Sequence, residues 1–361
     1  MQIPIYKPAL PPYELVEPDI REMYQSGMLY PGQFTERLVE QVKSYCGVQY
    51  VLPVNSCSTG LLVALSMVPA GQKVVMPAFT FNATLQALEW NGLVPLIVDV
   101  DDNGQLDLDK LDECLDENPH NVGAVLPVHM WGNLVDVAKT TDVVADRAPY
   151  VFFDGAHVFG STRDGLVHPG DATVFSIAAT KPVSAGEGGL LVTNNEKVYT
   201  DARDVAFHGL FNSLDTRIKG INGKIQEFNS ILAYYAIEQF DQTKARRRAL
   251  MEHYRSSLSD LPLRVWSTQK GVDASYKDCV VFAEDTETRD RLDTFVQSKR
   301  IGTKRYFEPA IPDMGSFKGV VHSTDNARRL ASTCLTLPLY PNLTDDEIEH
   351  IVQTVRAFYA G

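Results

Sequence analysis

The sequence predicts an α/β protein in which a large domain, residues 1–244, holds a mostly parallel, doubly wound sheet and a smaller C-terminal α+β domain spans residues 245–361. Three observations carry this expectation. Between about residues 50 and 195, short apolar runs alternate with amphipathic stretches, the pattern of parallel strands joined by helical crossovers. A Gly-rich loop at 220–223 then leads into a long helical pattern from 227 to about 258. The remainder mixes strand and helix patterns and ends in a helix that Thr344 caps ahead of an acidic first turn.

Within the alternating region, strands are expected at 50–54, 73–76, 94–98, 122–128, 150–153, 172–177 and 189–193. Helices are expected between them at 59–68, 80–90, 108–117, 134–146 and 197–207. A basic run at Lys244–Arg248 reads as a solvated helix face and receives no function.

With 361 residues, 44% of them hydrophobic, the chain can bury a substantial core. Its formal net charge of -13 offers no diffuse positive field to nucleic acid or to an anionic membrane, so any phosphate must be held by specific groups. The opening MQIPIYKPALPPYELVEP is broken by prolines and acids, unlike a signal or transit peptide. Five scattered cysteines, never in a close metal-ligand pair, read as reduced thiols of a cytoplasmic protein, and no metal site is expected.

Four short stretches carry chemistry. Asn55 to Gly60 places small polar residues, Ser56, Cys57 and Ser58 among them, between a strand and an apolar helix, where free N–H groups and hydroxyls suit a phosphate. Alone, this is an ordinary helix cap. Val151 to His157 is an apolar strand ending in Asp154, with His157 just beyond, at the kind of strand edge where open α/β sheets bind ligands. Phe175 to Lys181 leads from a strand through Ser176 to a lysine in a small-residue loop, followed by Gly186-Glu187-Gly188-Gly189. Desolvation there would lower the lysine's pKa and make it a Schiff-base nucleophile. The fourth stretch, Gly220 to Glu227, is a polar loop entering the long helix and by itself reads as a turn and cap.

Taken together, these residues make the chain resemble the DegT/DnrJ/StrS group of pyridoxal-phosphate-dependent sugar aminotransferases, which have the type I aminotransferase fold. The likeness runs nearly end to end, through Ser26-Gly27 with Gly32, Pro77 to Thr84, Val128 to Gly132, Asp154 to Gly160, Ala179-Thr180-Lys181, Glu187 to Gly189, Gly220-Ile221-Asn222 and Leu337-Pro338-Leu339. The resemblance implies that Lys181 holds pyridoxal phosphate as a Schiff base and that Asp154 pairs with the ring nitrogen. It implies that His157 faces the ring hydroxyl and Phe81 stacks on the ring. Ser58, Ser176 and, from a partner subunit, Asn222 would bind the phosphate, with Cys57 standing where the family's first phosphate motif has glycine. Tyr306-Phe307 occupy the place of the family's His-Tyr pair. The chemistry asks for the same types: a carboxylate keeps the ring nitrogen protonated, and a displaced lysine can move a proton between carbons.

The expected function is therefore a transaminase moving an amino group from L-glutamate onto a 3- or 4-keto group of a nucleotide-linked deoxysugar, in a homodimer with shared active sites. Another keto acceptor, such as an aminocyclitol precursor, is an alternative, as is a non-catalytic regulatory protein that keeps the fold. A sugar dehydratase of the same group would carry histidine in place of Lys181.

Overall fold

The computed structural model describes residues 2–165, 167–210, 215–216 and 218–361. Two helices, α1 (Tyr13–Ser26) and α2 (Gln33–Cys46), precede β1 (Tyr50–Val54) and α3 (Cys57–Leu65). The alternation continues through β2 (Lys73–Pro77), α4 (Asn82–Trp90), β3 (Val94–Val98), α5 (Leu108–Glu117), β4 (Val122–Val125) and α6 (Val137–Val144). It closes with β5 (Phe152–Gly155), the short β6 (Thr162–Arg163), β7 (Ala172–Ser176), β8 (Gly189–Thr193) and α7 (Glu196–Ala206). Next come α8 (Glu227–Glu238), α9 (Phe240–Ser257), β9 (Leu263–Val265), β10 (Val272–Asp273), β11 (Cys279–Ala283) and α10 (Thr286–Ser298). The last elements are β12 (Val320–Val321), α11 (Asp325–Thr333), β13 (Cys334–Leu337) and α12 (Asp345–Ala360).

Strands β12, β3, β2 and β4 lie side by side in parallel. Parallel bridges Val125–Val151 and Val128–Asp154 join β4 to β5, which runs parallel to β7. The seventh strand expected from the sequence, β8, runs antiparallel to both β7 and β1, so the sheet is mixed at this end. Residue alternation explains why helices cover both faces: Val74 and Met76 join one core while Val75 between them joins another, and Val174 and Phe175 likewise separate. A near-continuous apolar strand reads this way because both of its faces are buried.

Glu227 shows how a distant residue fixes a helix start. The N-terminal boundary of α2 is Gly32, which has no side chain to cap it. Instead the fully buried Glu227 carboxylate, at the start of α8, accepts from the backbone N–H groups of Gly32, Phe34 and Thr35 at 2.8, 2.9 and 2.9 Å, and from the Thr35 hydroxyl at 2.5 Å. These donors have no intrahelical acceptor, and the helix dipole favours a negative charge at that end.

Two expectations about the long helical segment require correction. It is two helices, because the chain turns at Gln239 (φ -95, ψ 0) between α8 and α9. The basic run is not a uniformly solvated face: Lys244 and Arg247 are buried. Spaced at i, i+3 with i+4 steps from Phe240 and to Met251, they lie on the buried side of α9. The Lys244 ammonium donates to the Gly160 carbonyl (2.6 Å) and to Asp273 (2.7 Å), and Arg247 donates to the Leu339 carbonyl (3.4 Å). Arg246 and Arg248 take the solvent side and pair with Asp345 and Asp273.

The C-terminal region forms an antiparallel three-stranded sheet, β13–β11–β9, against α10 and α11. The boundary expected between residues 244 and 245 falls inside α9, and β12 returns to add an edge strand to the large sheet. Asp99, just beyond β3, ties the regions further by accepting from the N–H groups of Asn326 and Ala327 at the start of α11 (2.9 and 2.8 Å). No helix among the described residues is long and apolar enough to cross a membrane.

Candidate active site

Strand ends and helix starts converge at the edge of the large sheet. The open α/β topology expects a ligand outside the carboxyl ends of the parallel strands, and Asp154 in β5 and Ser176 at the end of β7 sit there. Beside them, α3 begins at a cap made by Ser56, whose hydroxyl accepts from the Thr59 N–H at 3.0 Å. The first N–H groups of that helix have no intrahelical acceptor and are free to meet an anion. Gly189 lets β8 approach: a Cβ there would lie 2.7 Å from the Cys57 nitrogen and from the Ser56 carbonyl.

A cavity of about 260 Å³ opens between these elements. Seven of the eight residues expected at the site line it: Cys57, Ser58, Phe81, Asp154, His157, Ser176 and Lys181. The Cys57 thiol, which stands where the family has glycine, is turned to the sheet, 3.6 Å from the Val174 carbonyl. Asn222 does not line the cavity of its own chain. It is exposed, and its carbonyl accepts from the Asn55 side chain at 2.9 Å, which holds the 220–223 loop against the start of α3. A larger open groove along α2 and α8, about 860 Å³, brings together none of the eight.

Asp154 is buried, and each carboxylate oxygen has a donor: the Thr84 hydroxyl at 2.8 Å and the Ala156 N–H at 3.0 Å. Burial pushes its carboxyl above the usual range, and the two hydrogen bonds and the Lys181 charge oppose this. A buried carboxylate of this kind gains from a cation or an N–H donor brought beside it. The Lys181 ammonium is lowered to about 8, first by burial and then by the nearby charge of Lys277. Its loop is held by backbone bonds Ala179 N–H to Gly186 carbonyl (2.9 Å) and Ile177 N–H to Gly188 carbonyl (3.0 Å). The Asn229 amide secures the far side through the carbonyls of Ala185 (2.8 Å) and Glu187 (2.9 Å).

His157 is buried, and burial followed by the charges of Lys181, Lys277 and Lys304 holds its imidazole well below the usual range. Its Nδ1 accepts a long bond from the Trp131 N–H (3.4 Å), so the neutral ring carries its proton on Nε2. His129, in the same region of sequence, is structural. Its ring stacks on Phe153 at 5.0 Å and its Nδ1 accepts from the Val135 N–H at 3.0 Å, with burial taking its pKa to about 3.

These groups fit pyridoxal phosphate. The start of α3 with Ser58 and Ser176 can hold a phosphate, Asp154 a ring nitrogen, His157 a ring oxygen and Phe81 a ring face, while Lys181 offers an amine of lowered pKa. Sequence reasoning missed Thr84 as the partner of Asp154. The signal was present in the 77–84 stretch, where Thr80 and Thr84 pair one turn apart at 2.8 Å. It also missed Lys304, which lines the cavity and stands in no motif.

A parallel-centred α/β sheet with such a cofactor pocket at its strand ends defines a pyridoxal-phosphate-dependent aminotransferase of the type I fold. Residues 14–356 match the DegT/DnrJ/EryC1/StrS aminotransferase family, and the chain belongs to it. It is 30% identical to the dTDP-4-amino-4,6-dideoxy-D-glucose transaminase of Shigella dysenteriae over 99% of both chains. An enzyme of the same name from Escherichia coli is 24% identical over 97% of each. Among solved structures, DesI in the presence of its TDP-sugar product superposes with a TM-score of 0.92 at 26% identity, covering 99% of this chain and 92% of that one.

Proposed function

We propose that this aminotransferase moves an amino group from L-glutamate onto a 3- or 4-keto group of a nucleotide-linked 6-deoxysugar. The observation that carries the reading is the meeting, in one cavity, of the Lys181 amine and the buried Asp154 carboxylate. The sugar and nucleotide parts rest on the relatives, which include a dTDP-4-amino-4,6-dideoxy-D-glucose transaminase and a GDP-perosamine synthase. When bound, pyridoxal phosphate carries the amino group between substrates and takes up electrons as a carbon-bound proton leaves. Lys181 would hold it through its amine and, when freed, would move that proton as base and acid. Asp154 would hold the ring nitrogen in its protonated state, and Thr84 and the Ala156 N–H orient that carboxylate. Ser58, Ser176 and the first turn of α3, with the Cys57 backbone, would bind the phosphate.

The test is a pair of half-reactions. L-Glutamate is expected to convert the holoenzyme to its amine form, and a dTDP- or GDP-linked keto-6-deoxysugar to reverse this, followed by absorbance and product mass. Reversal by simple 2-oxo acids alone would make the protein an amino-acid transaminase.

We further propose a cytoplasmic homodimer with shared sites, in which Asn222 binds the phosphate of its neighbour's cofactor. Support comes from exposed Tyr24, Leu29, Tyr30 and Phe228, an apolar set at the last turn of α1, the α1–α2 turn and the start of α8. The Glu227 N–H reaches the Leu29 carbonyl at 3.3 Å, so these segments adjoin. Lys181→Ala and Asn222→Ala subunits, each impaired alone, are expected to complement when mixed under exchange, since one site of the heterodimer regains both residues. Activity that never exceeds the average of the two parents would defeat the shared site.

A further inference from the structure

Adjoining the cavity and sharing Lys181, Lys304 and Tyr306 with it is a small recess of about 20 Å³, whose charged lining is Lys7, Lys181, Arg247, Lys277, Asp278 and Lys304. Its charges do not balance. Lys277 is buried and spent on Asp278, at 2.6 Å. Lys304 has no carboxylate within 4 Å among the described residues, although it lines both the cofactor cavity and the recess. Its position is nonetheless fixed. The Lys304 backbone exchanges two hydrogen bonds with Thr336 of β13 (3.2 and 2.8 Å), and its ammonium lies over the Tyr306 ring, 4.4 Å from the centroid. A preorganised cation that no carboxylate contacts, whose nearest opposing charge, Asp278, is already paired with Lys277, and that lines the same cavity as a reactive amine, is a receptor for an anionic group of a substrate.

We propose that Lys304 receives the α-carboxylate of the amino donor, a role that rests on the reading of the protein as a transaminase with an amino-acid donor. The choice between anions follows from covalent distance. In an amino acid the carboxylate is bonded to the carbon whose amine is transferred, so it must lie next to the Lys181 amine, where Lys304 lines the wall. The diphosphate of a sugar nucleotide is attached at C1, across the sugar ring from a reacting C3 or C4. Burial and the Lys277 charge lower the Lys304 pKa, and an arriving carboxylate would reverse that shift.

The test compares wild-type holoenzyme with Lys304→Met and Lys304→Arg in the two half-reactions. Losing a charge-assisted bond is expected to raise the apparent dissociation constant for L-glutamate about 10- to 100-fold in Lys304→Met, with Lys304→Arg restoring much of it. The constant for the keto-sugar nucleotide is expected to move at least tenfold less. Calorimetric titration of the holoenzymes with glutarate, a dicarboxylate without an amine, is a binding readout free of turnover and is expected to weaken in Lys304→Met. A donor constant and glutarate binding that stay at the wild-type level, or a loss confined to the keto-sugar half-reaction, would overturn the assignment. If wild-type enzyme reacted with no amino acid at all, the transaminase reading itself would fall, and the two failures are thereby told apart.

Discussion

Lys181→Ala is expected to yield a folded protein whose turnover falls by about 10⁴-fold or more, because the proposed mechanism asks the same amine both to bind the cofactor and to move the proton. Folding is expected to survive because the loop is held by its own backbone. The Ala179–Gly186 and Ile177–Gly188 bonds and the Asn229 amide do not involve the lysine side chain. Removing the ammonium also relieves a burial penalty, the leading cause of its lowered pKa. Three measurements check this: the melting temperature, turnover, and the mass of peptides after borohydride reduction, which fixes the cofactor to its lysine. A primary amine added to the variant is expected to restore part of the proton transfer. Wild-type turnover together with a cofactor still fixed to the chain after reduction would take Lys181 out of this role.

The sheet and the ends of its strands were legible in the sequence because strands buried on both faces leave uninterrupted apolar runs, and an open α/β fold gathers its ligand groups where those runs stop. Asp154, Ser176 and Lys181 all follow such runs, and the structure lines one cavity with them. What escaped depends on contacts between distant segments. Nothing local marks β8 as antiparallel, since an apolar strand reads alike in either direction. The stretch 227–258 has helical periodicity throughout, and the single turn at Gln239 leaves that period undisturbed. Lys244 and Arg247 carry charges that suggest solvent, yet their acceptors are the Gly160 and Leu339 carbonyls, 84 and 92 residues away. Lys304 lines the same cavity as Lys181 from more than a hundred residues away and shares no periodic pattern with it. Asn222 was legible as a polar loop residue, but its own chain gives it no place in the cavity.

Asp154→Asn is expected to bind pyridoxal phosphate and to lose activity by about 10²–10⁴-fold, corresponding to roughly 3–5 kcal/mol of transition-state stabilisation. An amide has nearly the carboxylate's shape, and the local contacts can adapt. Its oxygen can still accept from the Ala156 N–H, while the Thr84 hydroxyl, already 2.8 Å from Thr80, can accept from the new NH₂ and turn its own proton to Thr80. The residues proposed to hold the phosphate, Ser58 on α3 and Ser176 on β7, are untouched, so cofactor affinity should fall far less than the rate. Stability separates the chemical effect from a structural one. Burial raises the folded-state pKa of Asp154, so in the cofactor-free protein this carboxylate costs stability as pH rises above its unfolded value, and a neutral amide removes that cost. Cofactor-free Asp154→Asn should therefore melt no lower than wild type at neutral pH, and the difference should shrink as the solution is acidified and the wild-type carboxyl gains its proton. A lost rate with an unchanged or raised melting point would assign Asp154 to the ring nitrogen. Near-wild-type turnover would refuse it that role, and a melting point well below wild type would assign the loss to the Thr84–Asp154–Ala156 contacts instead.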